Sequence, residues 1–101
     1  MITELIDRIA ALIAGSERDL DSIERTLTDG YAHALSLEAE RQRLERRLAQ
    51  MAQDAHRGDL HTKTRELSQL AARLDGNSNE LQALRNRLVD LRRHADEIRA
   101  A

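Results

Sequence analysis

Apolar side chains recur along the chain at alternating intervals of four and three residues. In the first half this apolar repeat occupies Ile2, Ile6, Ile9, Ile13, Ser16, Leu20, Ile23, Leu27, Gly30, Ala34, Leu37, Arg41, Leu44, Leu48 and Met51. In the second half it occupies Leu60, Lys63, Leu67, Leu70, Leu74, Asn77, Leu81, Leu84, Leu88, Leu91, Ala95 and Ile98. Such spacing keeps one face of a helix against a partner helix. The pattern predicts two long coiled-coil helices, over about residues 2–53 and about residues 60–100.

The repeat breaks only at about residues 54–59, where Gly58 lies among polar side chains. Glycine in a polar segment is typical of a turn. The sequence therefore predicts an all-α fold, with residues 1–101 forming one antiparallel two-helix coiled-coil hairpin that assembles into a helical bundle. The repeat keeps its phase across Gly15, Gly30 and Gly76, which favours continuous helices there. Of these three, Gly15 is the strongest candidate for a real break.

Charged residues beside the repeat predict how the two helices align. A turn near Gly58 that places Ile23 opposite Leu88 also brings Glu24 near Arg85, whereas a shift of one heptad brings like charges together. Each such pair contributes only a few tenths of a kcal/mol, so the charges select an alignment rather than stabilise it. In this alignment the end of the chain lies opposite residue 10. The first nine residues would then project by roughly 15 Å.

That projecting end carries an apolar stripe wider than the repeat, because Leu5 and Leu12 flank it. A wide stripe requires more than one neighbouring helix. The predicted partner-binding residues are Ile2, Leu5, Ile6, Ile9, Leu12 and Ile13. We expect self-association, most simply as a two-fold dimer, or docking of a helical partner protein. In the alternative, residues 1–14 fold back as a third helix and Ser16 caps the next one.

Composition excludes several classes of protein. The chain has 101 residues, 34% of them charged, a net charge of −2, one aromatic residue and no cysteine or proline. The absence of cysteine excludes disulfides and thiolate metal sites, and near-neutral charge provides no general attraction for nucleic acid or a membrane surface. No stretch is long and apolar enough to span a membrane, so a cytoplasmic location is expected.

No residue pattern indicates catalysis or a cofactor. The chain lacks a nucleophile motif and a phosphate-binding glycine loop, and a two-helix rod has no concave pocket. Asp54, His56, Asp59 and His61 are ordinary residues for a polar turn and carry only a weak metal signal. At Gly30, Ala34 and Asn77 the repeat carries small or polar residues instead of large apolar ones, and we call this part the thin region. Such a region sets helix register more often than it binds a small molecule.

The sequence thus predicts a non-enzymatic coiled-coil protein for interaction or scaffolding, which self-associates through its N-terminal helix end. An alternative is a regulatory or adaptor module that captures a protein segment or small ligand. A third hypothesis, less favoured, is nucleic-acid binding through the C-terminal arginines, including Arg92 and Arg93. It is less favoured because no aromatic side chains lie among the arginines to stack on bases.

Overall fold

Three helices make up the computed structural model, which describes residues 2–15, 19–54 and 60–101. Helix α1 spans Ile2–Ala14, α2 spans Leu20–Asp54 and α3 spans Leu60–Ala100. The molecule is a rod of 63 × 17 × 16 Å. This arrangement confirms the all-α class. Of the predicted turn at 54–59, residue 54 is the last of α2, and residues 55–59 lie outside the described part of the chain.

Helices α2 and α3 form the predicted antiparallel hairpin. Arg85 pairs with Glu38, whereas Arg99, further along α3, pairs with Glu24, which is earlier in α2. The two helices therefore run in opposite directions. Their leucine and isoleucine side chains meet between them because the apolar repeat keeps one face of each helix turned inward.

The expected continuous helix over residues 2–53 is instead two helices. Helix α1 ends where the Gly15 N–H donates to the Ala11 carbonyl at 3.0 Å. Helix α2 begins after Asp19, whose Oδ1 accepts hydrogen bonds from the backbone N–H groups of Asp21 and Ser22 at 3.1 and 3.3 Å. This satisfies two of the N–H groups that a helix start leaves without partners. Asp19 is therefore the N-cap, and Ser16, expected in that role, lies outside the described residues.

Helix α1 folds back along the hairpin, as in the three-helix alternative. Its Arg8 pairs with Asp29 of α2 at 3.0 Å, so α1 runs antiparallel to α2. Ile9 is completely buried among side chains of α2 and α3. The N-terminal stripe thus finds its second and third neighbouring helices within the same chain.

The alignment of α2 with α3 differs from the predicted one by one heptad. Leu88 faces Gly30, where a Cβ would overlap its Cδ2 atom, rather than Ile23. Glu24 correspondingly pairs with Arg99 and not with Arg85. The physical reason is packing, because Gly30 leaves space that Leu88 fills, and the exposed ion pairs beside the repeat contribute too little to favour another alignment.

The expected overhang of roughly 15 Å is absent, because α1 folds back and α2 begins only at Leu20. Arg99, near the end of α3, reaches Glu24 in the first turns of α2, so the two helices end together. The residues that would have projected form α1, which packs beside them.

Burial is uneven along the rod. The completely buried large side chains all belong to the half where three helices pack: Ile9, Ile23, Leu81, Leu84 and Leu91. In the half nearer the ends of α2 and the start of α3, the repeat positions Leu48, Met51, Leu67 and Leu74 are only half-buried. Leu44 and Leu70 are buried there by two helices alone, so α1 makes the exclusion of water more complete rather than being required for it.

The Asp19 cap makes a pH-dependent contribution to stability. Ser22 donates its hydroxyl to Asp19 Oδ2 at 2.7 Å, and this bond, with the backbone bonds of Ser22 and Asp21, lowers the Asp19 pKa below its ordinary value of 3.8. A carboxyl whose pKa is lower in the folded state stabilises the fold above its unfolded pKa, and the contribution is lost as pH falls through the folded value.

We therefore expect Asp19→Ala to lower the melting temperature at about pH 7 and to have little effect at about pH 2. Asp19→Asn is the matched control, since asparagine caps helices without titrating. Thermal unfolding followed by circular dichroism measures both. An Asp19→Ala deficit of equal size at the two pH values would contradict the ionised cap.

Candidate interaction surface

The predicted partner-binding stripe of α1 faces the hairpin. Leu5 and Ile9 are buried in the common core. Ile2, Leu12 and Ile13 are partly buried and pack against that core, whereas Ile6 is half-buried at its margin. The six side chains therefore already have an intramolecular role, and their binding of a separate partner stays a prediction.

A second apolar surface lies between α2 and α3. Among the described residues, the large hydrophobic side chains that stay exposed are Tyr31, Leu35 and Val89, at 41%, 66% and 57%. All three line one groove of about 430 Å³. We call this surface the open groove, and its lining is Tyr31, Ala34, Leu35, Glu38, Arg85, Leu88 and Val89.

The open groove and α1 lie on opposite sides of the hairpin. Beside α1, Glu4 and Leu5 share a depression with Asp29 and His33 of α2. Residues two apart on a helix point about 200° away from each other. Tyr31 and Leu35 follow Asp29 and His33 by two residues, and therefore face the other side of α2. The hairpin thus has two flanking grooves, one filled by α1 and one exposed.

Two ion pairs cross the hairpin on the side of the open groove. Glu38 pairs with Arg85 at its edge, and Glu24 pairs with Arg99 about four turns further along the rod. Each of these four side chains is between 39% and 48% exposed. In these two pairs the acidic members belong to α2 and the basic members to α3, and Arg99 also pairs with Asp96 of α3. All four side chains are therefore half-exposed, and they form the polar border of this side of the hairpin.

Arg92 lies between these two pairs along α3. Its Nη1 donates to the Tyr31 hydroxyl oxygen at 3.5 Å. This hydrogen bond raises the pKa of the Arg92 guanidinium above its ordinary value. The contact also holds the Tyr31 ring at the boundary between apolar and charged parts of the groove, a position suited to tyrosine at an interface.

The thin region predicted around Gly30 and Asn77 is filled from within the fold. Leu88 occupies the space beside Gly30. Asn77 is 6% exposed and donates its Nδ2 to the Leu37 carbonyl at 3.0 Å, while its Oδ1 is buried without a hydrogen-bond partner. A buried asparagine in a coiled-coil core lowers stability and restricts helix alignment. Ala34 is different, because it forms part of the floor of the open groove.

The remaining sequence hypotheses find little support in the described structure. Among the side chains described, those of residues 2–15, 19–54 and 63–101, no three His, Asp or Glu are placed to hold a metal ion, and the candidates His56, Asp59 and His61 fall outside those ranges. Of the C-terminal arginines, Arg93 pairs with Asp90 and Arg99 with Asp96. In the same ranges, no helix is both long and apolar enough to cross a membrane.

Sequence reasoning missed Leu35 and Val89 because both lie outside the apolar repeat. A single exposed apolar residue on a helix is ordinary, and nothing in the chain order connects these two. One signal in the sequence could have found them: Leu35 and Val89 each occupy a heptad position that no other leucine or valine of the same helix occupies.

Comparison of the chain with known proteins finds no matching family model, no matching curated protein and no matching solved structure.

Proposed function

We propose that the protein is a non-enzymatic helical interaction module that self-associates through the open groove. The observation that carries the proposal is the grouping of Tyr31, Leu35 and Val89 on one face. Scattered apolar side chains are normal on a protein surface, but a contiguous patch with a polar rim is typical of an interaction site. Glu38 and Arg85 supply that rim.

The chain's own architecture supports a helix as the occupant. Helix α1 packs into one flanking groove of the hairpin, and the open groove flanks the same two helices on the other side. Another helix there would continue the bundle by the same side-by-side packing. This proposal keeps the self-association predicted from the sequence but assigns it to the open groove, because Leu5 and Ile9 of the N-terminal stripe are buried inside the chain.

Sedimentation equilibrium of three chains tests the proposal. We expect the unmodified chain to dimerise and Leu35→Glu to weaken the dimer by tenfold or more, because a central apolar contact is replaced by a charge. Leu35 is 66% exposed, so the fold of the single chain should be unchanged. Ser36→Glu is the matched control, since it adds the same charge one residue away on an exposed face outside the groove.

A chain that stays monomeric at all concentrations would rule out self-association. A dimer that Leu35→Glu leaves intact would rule out the open groove as its surface. If the monomer instead binds a helical segment of another protein and Leu35→Glu abolishes that binding, the adaptor alternative replaces the proposal.

A further inference from the structure

We propose that α1 exchanges between two copies of the chain, so that each α1 leaves its own hairpin and packs in the same place on the other one. In this exchanged dimer, α1 and α2 of one chain join into a single helix. The inference goes beyond the proposed function, because it uses the surface of α2 and α3 that α1 covers and not the open groove. It follows from the apolar repeat, the contacts of α1 and the two helix ends that meet between α1 and α2.

The apolar repeat keeps its phase from α1 into α2, although the two helices run in opposite directions. Ile13, Ser16 and Leu20 follow one another at intervals of three and four residues. The folded-back chain does not require this continuity, because a change of direction separates the faces of the two helices. In one continuous helix the same phase turns the apolar faces of α1 and α2 to the same side. Residues 15–19 include no proline, which would interrupt such a helix.

The pairing of α1 with α2 fits a symmetric exchange. Arg8 pairs with Asp29, and α1 runs antiparallel to α2. When Arg8 of each copy pairs with Asp29 of the other, the two joined helices lie antiparallel. Their two-fold axis passes just before Asp19, midway between the paired residues. Helix α3 ends level with the first turns of α2, where Arg99 reaches Glu24, so the two copies of α3 lie end to end and do not overlap.

Exchange preserves every contact that α1 makes with the hairpin. Leu5 and Ile9 are buried in the core shared with α2 and α3, and Arg8 donates a hydrogen bond to Asp29. Because the two chains are identical, α1 meets the same side chains on the second copy. Two closed chains and one exchanged dimer therefore differ mainly in the segment between α1 and α2 and in the entropy of association. For this reason the exchange of an identical element is a low-cost route to a dimer.

Gly15 and Asp19 favour the closed chain over the exchanged dimer. Gly15 follows the last residue of α1, and glycine in the interior of a continuous helix is unfavourable relative to alanine. Asp19 caps α2, and its bonds to the N–H groups of Asp21 and Ser22 stabilise a helix that begins there rather than one that continues. The dimer contains two joined helices, so each effect counts twice. These two residues therefore set the balance between the two forms.

Cross-linking between two differently substituted chains tests the exchange. The chain contains no cysteine, so Arg8→Cys in one chain and Asp29→Cys in the other provide one thiol each. Both side chains are more than half exposed, and their ion pair shows that they lie close together. Leu35→Glu in both chains removes association through the open groove. The chains are mixed in urea, refolded together and treated with a short bis-maleimide, which joins the two thiols only when α1 of one chain packs on α2 of the other.

We expect a cross-linked product that contains both chains. Gly15→Ala in both chains should raise the association constant of the exchanged dimer by about tenfold or more, because both joined helices lose an interior glycine. Gly76→Ala is the matched control, since it makes the same substitution within α3 and should favour both forms equally. Gln50→Cys in place of Asp29→Cys measures random collision, because Gln50 is exposed and lies about 30 Å along α2 from Asp29.

A product that exceeds the collision background and increases with Gly15→Ala, but not with Gly76→Ala, supports the exchange. Absence of product above that background, with or without Gly15→Ala, overturns it. A product that both glycine substitutions change equally overturns the joined helix and the proposal with it. These outcomes do not depend on the open groove, because Leu35→Glu is present in every chain. A dimer in sedimentation that Leu35→Glu leaves intact would exclude the open groove but not the exchange.

Discussion

Replacing Ile9 by Asp should lower the free energy of unfolding by roughly 3 kcal/mol or more. Removing a buried isoleucine costs about 2–5 kcal/mol, and a carboxylate in its place must also be desolvated or leave the core. Ile9 is 0% exposed and lies where α1, α2 and α3 meet. We therefore expect α1 to detach from the hairpin, with a lower midpoint in urea and less helical circular dichroism.

Ile6→Asp is the matched control, because it places the same charge one turn away on a half-buried side chain at the margin of the core. We expect a loss well below that of Ile9→Asp. If the N-terminal stripe were instead a docking surface, both substitutions would dissociate an oligomer and leave the single chain equally stable. An unchanged urea midpoint for Ile9→Asp would therefore contradict the folded-back position of α1.

Gly30→Leu should destabilise the hairpin by roughly 3 kcal/mol, the upper range for overfilling a packed core. Even a Cβ at residue 30 would overlap Leu88 Cδ2, so a leucine there has no space. Leu88→Ala alone should cost about 2–5 kcal/mol, because it leaves a cavity. In the double variant the new leucine enters the space that Leu88 vacates. We expect the double variant to recover at least about 1 kcal/mol relative to the sum of the two single losses.

Gly76→Leu is the control for this exchange. Apart from its two chain neighbours and the backbone of its own helix, nothing lies within 4 Å of a Cβ built on Gly76, so the same substitution should be tolerated or stabilising in α3. Urea unfolding of the four variants supplies the energies. Strictly additive losses in the double variant would mean that Leu88 does not face Gly30, and would favour the predicted alignment of Leu88 with Ile23.

The apolar repeat was sufficient to predict the helices and the direction of the hairpin. Helical periodicity is a local property, and a polar break containing Gly58 predicts a change of chain direction. The repeat was insufficient to predict the end of α1 at Ala14. The phase of the apolar repeat is the same before and after Gly15. The sequence pattern is therefore identical whether the helix ends there or continues.

Alignment is harder to predict, because a shift of one heptad preserves every apolar position. The flanking charges favoured the wrong choice, since pairs such as Glu24 with Arg85 differ little in energy from the pairs that form instead. The contact that distinguishes the two alignments joins Gly30 to Leu88. A glycine in the repeat indicates that space is available, but the sequence does not indicate which side chain of the other helix fills that space.

The open groove depends on that alignment. Leu35 and Val89 come together only after α2 and α3 are placed in their actual register. Tyr31 was visible in the sequence as the single aromatic residue, but its relation to the other two was not. A surface made from two distant segments is a tertiary property, and sequence periodicity alone does not predict it.

Because burial is uneven along the rod, the end where three helices pack should be more stable than the end formed by α2 and α3 alone. We call these the strong end and the weak end. Helix α1 and the last turns of α3 lie in the strong end, where Ile9 and Leu91 are completely buried. The weak end holds the half-buried Met51 and Leu67, close to the middle of the sequence. Separation of the helices should therefore start at the weak end, near the middle of the chain, because α1 packs against α2 and α3 only in the strong end.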